Sequence, residues 1–164
     1  MSPTRSIRRA EKKDISAIVI FNQAMALETE SLVLDEALLL KGVQSVFDNP
    51  EKGFYLVCEI DGVIVGSLMI TYEWSDWRNG TFYWVQSVYV KKEFRRQGIY
   101  KSLYLYLRDE FSQKEEVAGM RLYVEKDNEQ AQTTYENLGM KKTNYVLFEE
   151  GIKEAEPTSS EQDR

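Results

Sequence analysis

The chain has no histidine and only one cysteine, Cys58, in 164 residues. Without histidine, both the commonest zinc ligand and the commonest catalytic base are missing, so no metal site is expected. A lone cysteine excludes an internal disulfide framework. Any proton transfer must then fall to carboxylates, tyrosine, lysine, the one thiol or water. Long apolar runs are also lacking. No stretch approaches the ~20 residues of a membrane helix, and the N-terminus has no signal-peptide core, so a cytoplasmic protein without a membrane partner is expected. Net charge is −6, of which the segment from Glu149 onward supplies −4. The basic residues are scattered except at 91–96, with no stripe of the kind that binds nucleic acid.

What remains is an ordinary globular composition, 43% hydrophobic and 29% charged. The length fits one domain over residues 1–150, followed by an acidic tail, 151–164, expected to be disordered. Residues 1–5 read as a loose end before a strand at Ile7 to Ala10. Asp14 is placed to cap a helix carrying Ile15, Ile18, Val19, Asn22 and Met25 at helical spacing. A break from Glu28 to Leu34 precedes a second helix, from about Asp35 to Asn49-Pro50.

After Gly53 the texture turns to strands. Phe54 to Ile60 and Val63 to Glu73 flank Asp61-Gly62, a favoured hairpin turn. Thr81 to Val90, apolar at nearly every position, reads as a central strand. A helix from Gly98 to about Gln113, a strand at Gly119 to Glu125, a helix from Glu129 to Leu138 closed by Gly139, and a last strand near Tyr145 to Glu150 complete the order β-α-α-β-β-β-α-β-α-β. This order implies an α/β (α+β) fold, a mixed sheet flanked by helices.

The stretch Val85 to Tyr100 carries the most chemistry. A strand feeds a helix through a short loop holding Arg95, Arg96, Gln97 and Gly98. The first N–H groups of such a helix have no intrahelical partner, and the helix dipole adds positive potential, so the loop suits phosphate. Gly98 lets the backbone approach where a Cβ would obstruct.

Two motifs in this frame resemble the GNAT superfamily of acyl-coenzyme A N-acyltransferases over roughly residues 5–150. Arg95-Arg96-Gln97-Gly98-Ile99-Tyr100 matches the Arg/Gln-x-x-Gly-x-Gly/Ala pyrophosphate loop. Asn128, Ala131, Tyr135 and Gly139 match Asn-x-x-Ala-x-x-x-Tyr-x-x-x-Gly. The resemblance implies a mixed, mostly antiparallel central sheet and acetyl-coenzyme A as cosubstrate, with no metal. It implies that Arg95, Arg96, Gln97, Gly98, Ile99, Tyr100 and Lys101 hold the pyrophosphate. Val88, Tyr89 and Val90 would pair with the pantetheine arm, the Val88 N–H facing the thioester oxygen, and Asn128 would hydrogen-bond the same arm. Tyr135 would be the general acid for the leaving thiolate. A phenol with pKa near ~10 can donate that proton.

The same comparison shows departures. Tyr100 stands where the family has Gly or Ala. Gln86-Ser87 stand where the polyamine (diamine) acetyltransferases carry Glu-Asp, which weakens the case for a polycationic acceptor. The general base is open among Glu28 and Glu30, read as lying in the loop between the first two helices, Glu73 at the end of the third strand, Asp76 in its loop, and water. The run Tyr72-Glu73-Trp74-Ser75-Asp76-Trp77 is expected to form either a wall of the acceptor pocket or a subunit contact. Cys58, in an apolar strand, argues against a covalent route. The expected activity is direct acetyl transfer to a primary amine of a small molecule, in a homodimer. A protein or peptide acetyltransferase and a non-catalytic acyl-coenzyme A-binding domain are the alternatives.

Overall fold

The hairpin at Asp61-Gly62 forms as the dipeptide requires. Both residues adopt left-handed backbone (φ 50° and 81°), and Ile60 pairs with Val63 across the turn. It joins β2 (Phe54–Ile60) to β3 (Val63–Ser75), the middle of a five-stranded sheet ordered β1-β2-β3-β4-β5. The flanking strands are β1 (Arg5–Arg9), β4 (Gly80–Val90) and β5 (Val117–Arg121). All neighbours are antiparallel except β4 and β5, which run parallel. The helices are α1 (Ile15–Glu30), α2 (Glu36–Asp48), α3 (Ile99–Phe111) and α4 (Glu129–Asn137). This is the mixed, mostly antiparallel sheet with helices that the element order implied. The computed structural model describes residues 2–151, in two units, Met1–Tyr123 and Val124–Arg164. The expected disordered tail, 151–164, lies outside the described residues beyond Gly151.

In the first unit both faces of the sheet are covered, so β2 reads as an unbroken apolar run rather than an alternating one. Phe54, Leu56 and Cys58 join Leu103, Leu107 and Phe111 of α3 in one core. Tyr55 turns to the other face, against Ile18 and Val19 of α1 and Val43 of α2. Burying each leucine of α3 contributes about 1.5–3 kcal/mol. Gly66 on β3 admits α3 closely. A Cβ there would meet the Ile99 side chain and the Tyr89 carbonyl at 3.1 Å each.

Several local expectations change. Of the segment read as a loose end, Thr4 and Arg5 are held in place, because Arg5 opens β1 and Thr4 exchanges hydrogen bonds with Asp61. Asp14 makes no side-chain cap to α1. Its carboxylate instead takes the Arg8 guanidinium (2.7 Å) and the Glu11 N–H (2.7 Å). Burial pushes the Asp14 pKa up, but Arg8 and the Glu11 N–H outweigh it and the net direction is down. The helix α1 continues through Glu28 and Glu30, ending at Ser31 in left-handed backbone. Neither glutamate therefore lies in a loop. The connection to α2 is held by Gln23, whose amide bonds both the N–H and the C=O of Leu34. Asp35 caps α2 by accepting from Leu38 N.

In the second unit Asn128 caps α4, accepting from Ala131 N at 3.1 Å. Gly139 (φ 99°) closes the helix, and the following Met140 N–H returns to the Tyr135 carbonyl. The expected strand at Tyr145 to Glu150 is not formed. Tyr145, Val146, Leu147 and Phe148 are exposed, and among the described residues this unit contains no strand for them to pair with. No helix of the described residues is long and apolar enough to cross a membrane.

Candidate active site

The site begins with a strand paired differently along its length. Thr81 to Trp84 of β4 bond β3 on one side and β5 on the other. From Val85 to Val90 only the β3 side is paired, so this strand is interior but not central, and half of it has an open edge. A bulge marks the change. Ser67 pairs with Tyr89 and Met69 with Gln86, leaving Ser87 and Val88 opposite Leu68. Ser87 takes a positive φ of 50°, uncommon without glycine. The Lys91 N–H bonds Val65 on β3, so alternation turns the N–H groups of Val90 and Val88 away from β3, toward the open edge. The Val90 carbonyl agrees, since it accepts Arg95 Nε at 2.8 Å.

The loop beyond β4 is a turned cradle. A short 3₁₀ turn, Lys92–Phe94, leads to Arg96 and Gly98, both left-handed (φ 62° and 73°), and Gly98 opens α3. Such alternation gathers successive N–H groups into an anion-binding concavity. The N–H groups of Gly98, Ile99 and Lys101 have no carbonyl partner among the described residues. At Gly98 an added Cβ would meet nothing nearer than the Arg5 guanidinium at 4.0 Å, so glycine is set here by backbone conformation rather than crowding. Gln97 bonds back to Glu93 O, bracing the loop. The Tyr100 ring packs on the α3 core and beside Tyr104, which answers where that departure places its bulk.

Arg95 does not stand free for phosphate. Its guanidinium bonds Glu28 (2.7 Å) and lies 5.3 Å over the Tyr89 ring, while Tyr89 also donates its hydroxyl to Glu28. Lys92 lies 3.7 Å from the same carboxylate. The Arg95 bond, then the Tyr89 hydroxyl and both cations, hold Glu28 below the usual carboxylate range. Burial, then donation to Glu28, raises the Tyr89 pKa. Glu28 therefore ties the end of α1 to the loop beyond β4 through Arg95 and Lys92.

The remaining candidate bases are dispersed. Glu30 ends α1 on the surface. Glu73, on β3 as read, pairs with Arg121, and Asp76 accepts from the Trp77 N–H in the turn. Trp74 and Trp77 are exposed and do not line the cavity described below. Cys58 is fully buried, and burial raises its thiol pKa, so it stays protonated.

A cavity of about 440 Å³ opens on the α1/α2 face of the sheet. Met25, Leu39, Val43 and Val46 give it an apolar wall, while Tyr55, Met69, Thr71 and Ser87 form its floor. Ser87 therefore faces the cavity where the neighbouring Val88 faces the open edge. Gln86 donates to the Thr71 hydroxyl and is thereby fixed beside this floor. Among the described residues no cluster of acids or cysteine is placed to hold a metal.

The second unit supplies the other motif. Its Asn128 is the α4 cap already described, and burial holds the Tyr135 phenol above its usual pKa, hence protonated at neutral pH. Sequence reasoning missed Arg5, which bonds Gln97 O (2.8 Å) and the Ser102 hydroxyl (3.1 Å) and so clamps the phosphate loop from β1. No sequence signal marked it, because the pairing spans 92 positions. It also missed Asn22, whose place on an apolar helix face looked like core packing.

The GNAT acetyltransferase family matches residues 21–140. A possible acetyltransferase from Clostridium difficile 630 is similar at 44% identity and TM-score 0.85, covering 90% of this chain and 97% of that one. Two more distant structures share the fold. One is a predicted acetyltransferase with acetyl-CoA from Clostridium acetobutylicum (18% identity, TM-score 0.72, 90% and 96% covered). The other is glucosamine-6-phosphate N-acetyltransferase from Arabidopsis thaliana (18%, 0.68, 92% and 99%). No curated protein sequence matches the chain. A split strand leading into a left-handed phosphate cradle, with a family match over most of the chain, has one consistent meaning: this protein belongs to the GNAT family of acetyltransferases.

Proposed function

We propose that the protein transfers an acetyl group from acetyl-coenzyme A to a primary amine of a small molecule, by direct attack in a ternary complex. The observation that carries this reading is the bulge at Ser87, where one strand presents a cavity on its face and unpaired backbone on its edge. The cavity's size, about 440 Å³, is that of a small acceptor. When bound, acetyl-coenzyme A supplies the activated thioester.

The residues divide the work. The cradle from Arg96 to Lys101, braced by Arg5, binds phosphate through backbone N–H groups. The outward N–H groups of Val88 and Val90 hold the pantetheine arm as an added strand would, and Val88 N–H stabilises charge on the thioester oxygen. Asn128 is assigned to the arm and Tyr135 to protonating the thiolate, both on their motif. Among the described residues no carboxylate lines the cavity, so the amine proton leaves through water.

Steady-state kinetics with thiol release as readout tests the reading. Intersecting, sequential patterns are expected, with Tyr135→Phe lowering kcat by about a hundredfold while the KM for acetyl-coenzyme A stays within threefold. Gly98→Val should abolish cofactor binding with the fold intact. Ping-pong kinetics, or cofactor affinity unchanged in Gly98→Val, would overturn it.

A further inference from the structure

The cavity wall carries a chemical signature beyond its volume. Among the described residues Lys52 is its one charged lining residue, and no carboxylate lines it. Lys52 has no ion pair among the described residues. Its place is fixed by a tight turn, in which its N–H bonds Asn49 O and the next residue, Gly53, runs so close to β3 that a Cβ there would clash with Ile70 O. Asn22 is 6% exposed and lines the cavity, yet its side-chain amide has no hydrogen bond among the described residues. Its amide atoms open onto the cavity, where a ligand group can bond them. The Tyr55 and Ser87 hydroxyls on the floor are likewise without partners among the described residues.

A cavity of this kind recognises oxygen and apolar carbon and repels a second cation. Diamines, polyamines and aminoglycosides carry extra ammonium groups that would find no counter-charge here and would meet Lys52. We propose that the acceptor is an α-amino acid with an apolar side chain, its carboxylate read by Lys52 and its side chain packed against Met25, Leu39, Val43 and Val46. This rests on the acetyltransferase reading above. Lys52 also helps the chemistry, because a nearby positive charge lowers the pKa of an ammonium group and so raises the neutral, attacking fraction. The neutral amine forms a new N–C bond to the acetyl carbon and the C–S bond breaks. The thiolate takes one proton and one more passes to solvent, so ammonium plus thioester give amide, thiol and one proton.

The test uses the full-length enzyme with acetyl-coenzyme A and four acceptors, leucine, leucinamide, 3-methylbutylamine and spermidine. Leucine should exceed the other three in kcat/KM by at least about tenfold. Lys52→Glu should lower the value for leucine by about tenfold or more and shift preference toward 3-methylbutylamine and spermidine. Its melting temperature and its acetyl-coenzyme A affinity by calorimetry should be unchanged. Preference for spermidine or 3-methylbutylamine in the wild type, or an unchanged preference in Lys52→Glu, would overturn the proposal. Cofactor binding with no transfer to leucine would overturn it while leaving the acetyl-coenzyme A site standing. Failure to bind acetyl-coenzyme A at all would remove the underlying reading as well.

Discussion

The two faces of one sheet are built to opposite ends. On the α3 face, Leu103, Leu107 and Phe111 are at most 1% exposed and pack with Leu56, Leu68 and Ile70 in one apolar core. On the α1/α2 face the same strands floor a cavity of about 440 Å³, and Asn22, Tyr55 and Ser87 offer it polar groups without protein partners. A sheet sealed on one side can tolerate an unfilled pocket on the other. Stability is concentrated under α3 so that the opposite face can hold polar groups in reserve for a ligand.

The largest expected effect breaks the sealed face. Leu107→Ala should destabilise by about 3–4 kcal/mol, because a fully buried leucine leaves a cavity that close packing cannot collapse. Met25→Ala, on the cavity wall, should cost about 1 kcal/mol or less, since that side chain already borders open space. Urea unfolding of both variants checks the contrast. Equal losses would mean the faces carry stability alike.

Asp14 is the exception on the α1 side, a polar group that is both buried and satisfied. Asp14→Asn should cost about 2–3 kcal/mol, less than a fully buried pair because Arg8 is one-quarter exposed. The sign with pH follows from the lowered folded-state pKa. The contribution is fully present above the unfolded value near ~4 and is lost as pH falls through the folded value. The stability gap between wild type and Asp14→Asn should therefore be full at pH 6 and shrink below about pH 4. A gap independent of pH would mean the charge on Asp14 is not what matters.

The sealed face was also the legible one. Leu103, Leu107 and Phe111 at helical spacing, the apolar run of β2 and the Asp61-Gly62 turn each follow from local rules, and so does the strand–loop–helix from Val85 to Tyr100, whose residues are contiguous. Arg5, Asn22 and Lys52 were not legible, because Arg5 acts through Gln97 and Ser102 far along the chain, and Asn22 and Lys52 meet at one cavity only once the fold has formed. Glu28 was misplaced for a related reason. Its helix runs past the point where the apolar spacing fades, held by its pairing to Arg95, 67 positions away. The strand at Tyr145 to Glu150 failed the other way, since β-rich local sequence makes no strand without a ladder to join.

Glu28 tests whether the α1 face is tied to the cofactor loop. Glu28→Gln keeps the hydrogen-bonding shape and removes a negative charge beside Arg95 and Lys92. The KM for acetyl-coenzyme A should fall by about twofold to fivefold, an effect that fades at high salt, while kcat changes by less than about threefold. A hundredfold loss of kcat would restore Glu28 as the general base.

The smallest effect sharpens the comparison most. Gly42 lies within α2 and lines the cavity, and nothing comes within 4 Å of a Cβ built there. Replacing a helix-interior glycine by alanine should stabilise the fold by about 0.5–1 kcal/mol, through backbone entropy alone. The same methyl group reduces the space for the acceptor. Gly42→Ala should therefore melt about 2–3 °C higher and show a raised KM for the bulkier acceptors, with acetyl-coenzyme A affinity unchanged. Such a variant would separate what the α1/α2 face contributes to folding from what it withholds for substrate. If stability rises and the acceptor KM does not, the space beside Gly42 is not where the acceptor sits.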